Sequence, residues 1–179
     1  MIIGLAGKAQ VGKDTVADYL VENFRFEKFA FATALKQFCL NLYCLSSSQL
    51  NTPEGKSTLD KHYGKTPREL LQKTGEALRG VYPNIWVDQI ERKIYNHHRV
   101  VISDVRYKNE AEFVKNNKGI LIRLVREDFC IGGKEAQHIS ENDVDSFGSL
   151  VDLTVSVKTG EVNRLKSSVV DYLLSRNVL

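Results

Sequence analysis

The chain has 179 residues, enough for one domain with a sizeable core. Hydrophobic residues make up 42% and charged residues 26%, a balance that excludes disordered and fibrous classes. A net charge of +3 with pI near 8.7 suits anionic small molecules, and no Lys/Arg-rich block argues for nucleic acid. Cys39, Cys44 and Cys130 are odd in number and lack C-x-x-C spacing. They read as reduced thiols of a cytoplasmic protein, not as a disulfide framework or a zinc site. The first apolar run is short and has no basic region before it, so it does not read as a signal peptide. No stretch has the length and apolarity of a membrane span.

Ile2–Ala6 predicts a short buried strand, and it stops at Gly7-Lys8-Ala9-Gln10-Val11-Gly12-Lys13-Asp14-Thr15. A helical pattern follows at once, with Val16, Leu20 and Phe24 on one face and Asp18 and Glu22 on the other. Strand, glycine loop and helix with G-x-x-x-x-G-K at the turn form a phosphate loop. Gly7 and Gly12 permit backbone conformations that let the loop amides, Lys8's among them, converge on an anion. The helix adds its free amides and positive dipole end, and Lys13 supplies a point charge for the β- and γ-phosphates. Asp14 stands where Ser or Thr is usual, with Thr15 next. Either side chain can serve magnesium, directly or through water.

Phe26–Ala32 reads as a second strand and Leu35–Leu45 as a helix. Ser46–Lys65 is the least regular stretch, with serines, Pro53, Gly55 and Gly64. Thr66-Pro67 starts a helix that runs to Gly80. Leu70, Leu71, Thr74, Ala77, Leu78 and Val81 gather on one side of it. Arg68, Gln72, Gly75 and Arg79 lie on the other, either as an anion-binding surface or as a solvated face. Asn84–Asn96 is a further helix carrying Trp86 and Ile90, with His97-His98 at its end. Arg99–Ser103 predicts a buried parallel strand that leads into Asp104-Val105-Arg106. Asp104 sits where a Walker-B carboxylate would hold magnesium. Arg106 is either a phosphate clamp or a structural ion-pair partner. Lys108–Asn117 is helical, and Gly119–Val125 is a strand closing at Arg126. Glu127–Leu150 is polar and aperiodic, with Gly132-Gly133 and His138. Val151–Val157 is the last strand, and Glu161–Arg176 the closing helix, with Val162, Leu165, Val169 and Leu173 inward.

Five strands alternating with helices predict an α/β fold: a parallel sheet covered on both faces, with its ligand site at the carboxyl ends of the strands. Gly7, Asp104 and Arg126 all fall at such ends.

Six pieces of the sequence resemble the deoxynucleoside monophosphate kinases of bacteriophages, a P-loop kinase family. They are G-K-A-Q-V-G-K-D-T-V-A at Gly7–Ala17, F-A-F-A-T-A-L-K at Phe29–Lys36 and T-P-R-E-L-L-Q-K-T-G-E-A-L-R at Thr66–Arg79. The others are I-W-V at Ile85–Val87, V-I-S-D-V-R-Y-K-N-E-A-E at Val101–Glu112 and H-I-S-E at His138–Glu141. G-K-D-T is that family's form of the loop, whereas Gln10 departs from its pattern. The resemblance implies a single kinase domain over 1–179, with an acceptor-binding helical insertion at about 46–96 and a lid at about 126–150. It implies transfer of the γ-phosphoryl group of ATP to a deoxynucleoside 5′-monophosphate, in the cytoplasm of a host and without nucleic-acid or membrane partners. A homodimer is compatible with it. Gly7, Lys8, Gly12, Lys13, Asp14 and Thr15 would bind ATP, and Asp14, Thr15 and Asp104 would surround Mg2+. Arg68, Gln72, Arg79, Trp86 and Arg106 would bind the acceptor, and Lys13, Asp104 and Arg126 would act on the transferred group. Two rivals share the loop: a dephospho-coenzyme A or phosphomevalonate kinase, and a non-catalytic nucleotide-binding module. Against the switch GTPases, the chain has no N-K-x-D base motif.

Overall fold

The computed structural model describes residues 1–128 and 143–179. The chain divides into two compact units, one built from Met1–Ala30 with Lys93–Leu179 and the other from Phe31–Arg92.

The first unit is a five-stranded parallel sheet. Its strands are β1 (Ile2–Ala6), β2 (Glu27–Phe29), β3 (Val100–Val105), β4 (Ile120–Arg126) and β5 (Leu153–Val157), in the order β2-β3-β1-β4-β5. The Val/Ile/Leu-rich runs of β1, β3 and β4 suit strands buried on both faces. One face is covered by α1 (Lys13–Phe24) and α8 (Val162–Ser175). Val16, Ala17 and Leu20 of α1 and Leu165, Val169 and Leu173 of α8 pack with Ile3, Leu5, Ile122, Leu124 and Val155. The other face carries α7 (Lys108–Asn116), whose Val114 lies against Gly4; a Cβ at Gly4 would stand 2.9 Å from Val114 Cγ2. Glycine in the central strand is therefore a packing requirement of α7. Asp143–Leu150 forms two 3₁₀ turns kinked at Gly148, and it buries Val144 and Phe147.

Several boundaries differ from the sequence reading. The second strand is three residues long, because it is an edge strand pairing with β3 alone and only through Glu27, Lys28 and Phe29. Helix α1 starts at Lys13, and the last strand starts at Leu153. Val162 is exposed at the mouth of α8, so the inward row begins at Leu165. Gly132-Gly133, Cys130, His138 and the H-I-S-E piece lie in 129–142, outside the described residues.

The second unit comprises α2 (Ala32–Leu42), α3 (Ser47–Asn51), α4 (Pro53–Ser57), α5 (Pro67–Val81) and most of α6 (Ile85–Ile94). The stretch expected to be irregular holds two short capped helices. The Ser46 side chain accepts from the Gln49 amide while Gln49 Oε1 accepts from Ser46 N, a reciprocal cap, and the Thr52 hydroxyl accepts from the Gly55 amide. Leu45, Leu50 and Leu70 form a small core with Tyr43, Tyr63 and Leu71 around them. Among the described residues, no helix is long and apolar enough to cross a membrane.

At the amino ends of the strands, Arg99 ties three segments together. Its guanidinium donates to Phe24 O at 2.8 Å and Val178 O at 2.6 Å, and it lies 5.1 Å from the Phe26 ring centre. It thereby satisfies the carbonyl at the end of α1. Arg99→Ala should lower stability by roughly 2 kcal/mol or more, the scale for hydrogen bonds to a charged group. Urea denaturation measures this. A loss below about 0.5 kcal/mol, a typical surface-substitution effect, would show that this junction contributes little.

Candidate active site

Strand β1 is central, so its carboxyl end opens into the middle of the sheet's upper rim. The loop that follows must turn sharply. Gly7 does so with φ 142, and a Cβ there would stand 2.4 Å from the Leu124 carbonyl oxygen of β4. Gly12 has φ 98 and serves as the N-cap of α1; a Cβ there would stand 2.7 Å from Leu165 Cδ2. Gln10 holds a left-handed φ of 63 without being glycine, a local cost of the loop's shape. Between the two glycines the Lys13 ammonium folds into the loop. It donates to the Gly7 and Lys8 carbonyl oxygens, each at 2.6 Å, and the residue is only 7% exposed. A charge buried that far needs oxygen partners, and phosphate oxygens are of the same kind.

Asp14 and Thr15 open the first turn of α1, both exposed. Lys28 Nζ lies 2.8 Å from the Asp14 carboxylate and 2.9 Å from that of Asp18. The nearby Ser103 hydroxyl of β3 favours the ionised form of Asp14. Partial burial pushes the Asp14 carboxyl up, but Lys28, Ser103 and Lys13 outweigh it and hold the group below the ordinary carboxylate range. Burial pulls Lys28 down, and its two carboxylate partners more than reverse that, so its ammonium sits above the ordinary lysine range.

Asp104 lies near the end of β3, where the pairing with β1 is irregular. Gly4 faces Ile102 and Ala6 faces Val105, so β3 carries one residue more than β1 over that interval. Such a bulge re-aims side chains at the end of a strand. Ser103 is buried, and Asp104 is half-buried as the next-to-last residue of β3. The phosphate loop follows the carboxyl end of β1, and Asp104 lies at the carboxyl end of the neighbouring strand β3 in the same unit.

Arg106 follows β3 directly, and its backbone is fixed by Glu110. That carboxylate, 2% exposed, accepts from the amides of Arg106 at 2.8 Å and Tyr107 at 3.2 Å. Asp143 adds a second acceptor at the same helix end, taking the Lys108 amide at 2.8 Å. Carboxylates at a helix N-terminus are favoured by its free amides and dipole. Arg126 is the half-buried last residue of β4, and Asp128 just beyond it accepts from the Thr159 amide and hydroxyl.

Arg68, Gln72, Arg79 and Trp86 belong to the second unit. Arg68, Gln72 and Arg79 are half-buried along α5, so that face is not simply solvated. Gly75 between them is buried, and the group that approaches it is Leu35 of α2, 2.9 Å from where a Cβ would stand. Its small size therefore serves helix packing. The apolar side of α5 ends early: Ala77 is exposed and Val81 is 82% exposed. Trp86 is 5% exposed, which leaves little indole surface for a ligand.

Lys28, Ser103 and Glu110 were absent from the sequence reading. Glu110 carried a signal, an acid three residues after a helix start. Ser103 carried a weaker one, a hydroxyl at the end of an apolar strand. Lys28 carried none, because it reaches Asp14 across fourteen residues through the pairing of β2 with β3.

The donor set suits magnesium. Among the described residues no three carboxylate, histidine or cysteine side chains converge into a cage. Magnesium beside phosphates is held by one or two carboxylates, with substrate oxygens and water completing its shell.

Gly7→Ala tests the loop's geometry. The left-handed backbone and the Leu124 carbonyl both oppose a side chain, so the substitution should cost about 2 kcal/mol or more. Thermal melting reads the stability, and a fluorescent ATP analogue reads the lost binding. Wild-type values in both would mean the loop tolerates a different turn.

No protein-family model matches the chain. A protein of Acanthamoeba polyphaga mimivirus named "Putative deoxynucleotide monophosphate kinase" is 35% identical over 178 residues, spanning 90% of this chain and 91% of that one. Among solved structures, shikimate kinase from Aquifex aeolicus superposes with a TM-score of 0.58 at 17% identity, over 100% of this chain and 99% of that one. Dephospho-CoA kinase from Campylobacter jejuni gives 0.51 at 12% identity, over 99% and 98%. At those identities the likeness is one of fold. The mimivirus similarity runs along nine-tenths of both chains, well above that level, and the chain belongs to the deoxynucleotide monophosphate kinase family, within the P-loop kinases.

Proposed function

We propose that the protein transfers the γ-phosphoryl group of ATP to a deoxynucleoside 5′-monophosphate, giving a diphosphate for DNA precursor synthesis. The observation that carries this reading is Lys13, buried inside a ring of loop backbone at the end of the central strand. Family membership supports the acceptor half. Lys13 exchanges two carbonyl oxygens for phosphate oxygens, and the loop amides hold the rest of the polyphosphate. Asp14, Thr15 and Asp104 would hold Mg2+, which when bound neutralises phosphate charge. Arg68, Arg79 and Arg106 are assigned to the acceptor phosphate, because a guanidinium fork matches phosphate oxygens in a way an ammonium does not. Gln72 is assigned to the base edge, since an amide both donates and accepts. Arg126 is assigned to the transferred group.

The chemistry balances without a covalent enzyme intermediate. An oxygen of the acceptor monophosphate forms a bond to the γ-phosphorus, the bond from that phosphorus to the β–γ bridging oxygen breaks, and ADP leaves. The protein's part is to align the two nucleotides and to stabilise charge.

A coupled ADP-release assay over deoxy- and ribonucleoside monophosphates, with dephospho-coenzyme A and phosphomevalonate as alternatives, tests the reading. Turnover is expected with one or more deoxynucleoside monophosphates. Lys13→Ala should lower it by about two to three orders of magnitude, the scale of losing a key electrostatic donor. Turnover confined to another acceptor would reassign the substrate, and ATP binding with no turnover of any would indicate a binding module.

Arg68→Ala should weaken use of every monophosphate while leaving ATP affinity in place. Gln72→Ala should instead reorder the bases. These are read as kcat/KM for each nucleotide beside direct ATP binding. Equal losses of ATP and acceptor binding would move α5 to the donor side.

A further inference from the structure

An aspartate at position 14 poses an electrostatic problem. The phosphate-loop pattern has a neutral hydroxyl there, next to the lysine that faces the phosphates. A carboxylate adds a negative charge where a polyphosphate anion must enter. The helix dipole offsets part of it, because Asp14 lies in the first turn of α1. The rest is met from outside the helix. Lys28 projects from β2 to Asp14 at 2.8 Å and to Asp18, one helical turn further along, at 2.9 Å. The Asp14 carboxylate is 76% exposed, so water alone could solvate it, and isolated surface pairs contribute little to stability. A pair that contributes little to folding can still set the field at an anion's entrance.

We propose that Lys28 is the counter-ion that allows an aspartate at this loop position, cancelling the Asp14 charge and so keeping the loop attractive to polyphosphate. This rests on the ATP-binding reading above. Lys28 is a positioning residue: it acts through Asp14, and its worth appears in nucleotide affinity and in the magnesium requirement of binding. Without it, the bare carboxylate repels the phosphates, and only a divalent cation between them restores binding.

The test is calorimetric titration with a non-hydrolysable ATP analogue, in EDTA and again in Mg2+, on the full chain. Lys28→Met is expected to weaken binding in EDTA roughly ten-fold or more, as expected for one uncompensated charge near a surface. Mg2+ should then improve its affinity by a larger factor than it does in the wild type. Lys28→Met with Asp14→Ser should restore affinity in EDTA, because no charge is left to cancel. Asp18→Asn should keep wild-type affinity, since Lys28 then serves Asp14 alone; it also keeps the proposal testable if Lys28→Met folds poorly. Unchanged affinity for Lys28→Met would overturn the proposal. So would a double variant as weak as the single one, which would mean that Lys28 meets the phosphate itself or supports the fold, and so would a ten-fold loss in Asp18→Asn. A wild type that binds no ATP analogue in either buffer would overturn the ATP-binding reading, and this proposal with it.

Discussion

The close approach of Gly7 to the Leu124 carbonyl constrains everything at the upper rim of the sheet. Strand β1 is hydrogen-bonded on both sides, to β3 and β4, and cannot shift to relieve a clash. The chain leaving it has room only for backbone. That confinement brings the Gly7 and Lys8 carbonyls around Lys13, starts α1 at Lys13, and sets the line along which Val16 and Leu20 enter the core. Loop geometry and core packing are one constraint seen from two sides.

Much of this was legible in the sequence because it is local. Gly7, Gly12 and Lys13 specify the loop, and the β-branched runs of β3 and β4 announce strands buried on both faces. The legible part ended where chemistry passes between elements. Lys28 lies in a segment legible only as a strand, and only the pairing of β2 with β3 brings it to Asp14. The residue gained by β3 between Ile102 and Val105 had no signature, yet it places Ser103 and Asp104 differently from a regular strand. Ser46 and Thr52 cap two short helices, but the serines, Pro53, Gly55 and Gly64 of that stretch read as irregular. Gly75 read as part of the same face as Arg68 and Arg79, and helix packing through Leu35 makes use of it.

The first unit also shows how carboxylates share the work at helix starts. Asp14 sits in the first turn of α1, while Glu110 and Asp143 accept amides at the start of α7. Glu110 is buried and accepts the Arg106 and Tyr107 amides just ahead of its own helix. Asp14 is exposed and depends on a lysine from another element. One acid is a cap whose charge meets backbone amides, and the charge of the other meets the Lys28 ammonium.

Strand β2 has a consequence for the protein's behaviour in crowded solution. As the outermost strand of the sheet it offers an unpaired edge on which a second molecule could add a strand of its own. It is only three residues long, and two of them, Glu27 and Lys28, are charged and exposed. Glu27 is engaged with His97 at 2.7 Å and Lys28 with the two aspartates of α1. A strand docking there would have to strip those ion pairs and would find few backbone partners in return. The β2 edge is thereby closed to self-templated aggregation, by the same lysine that faces Asp14.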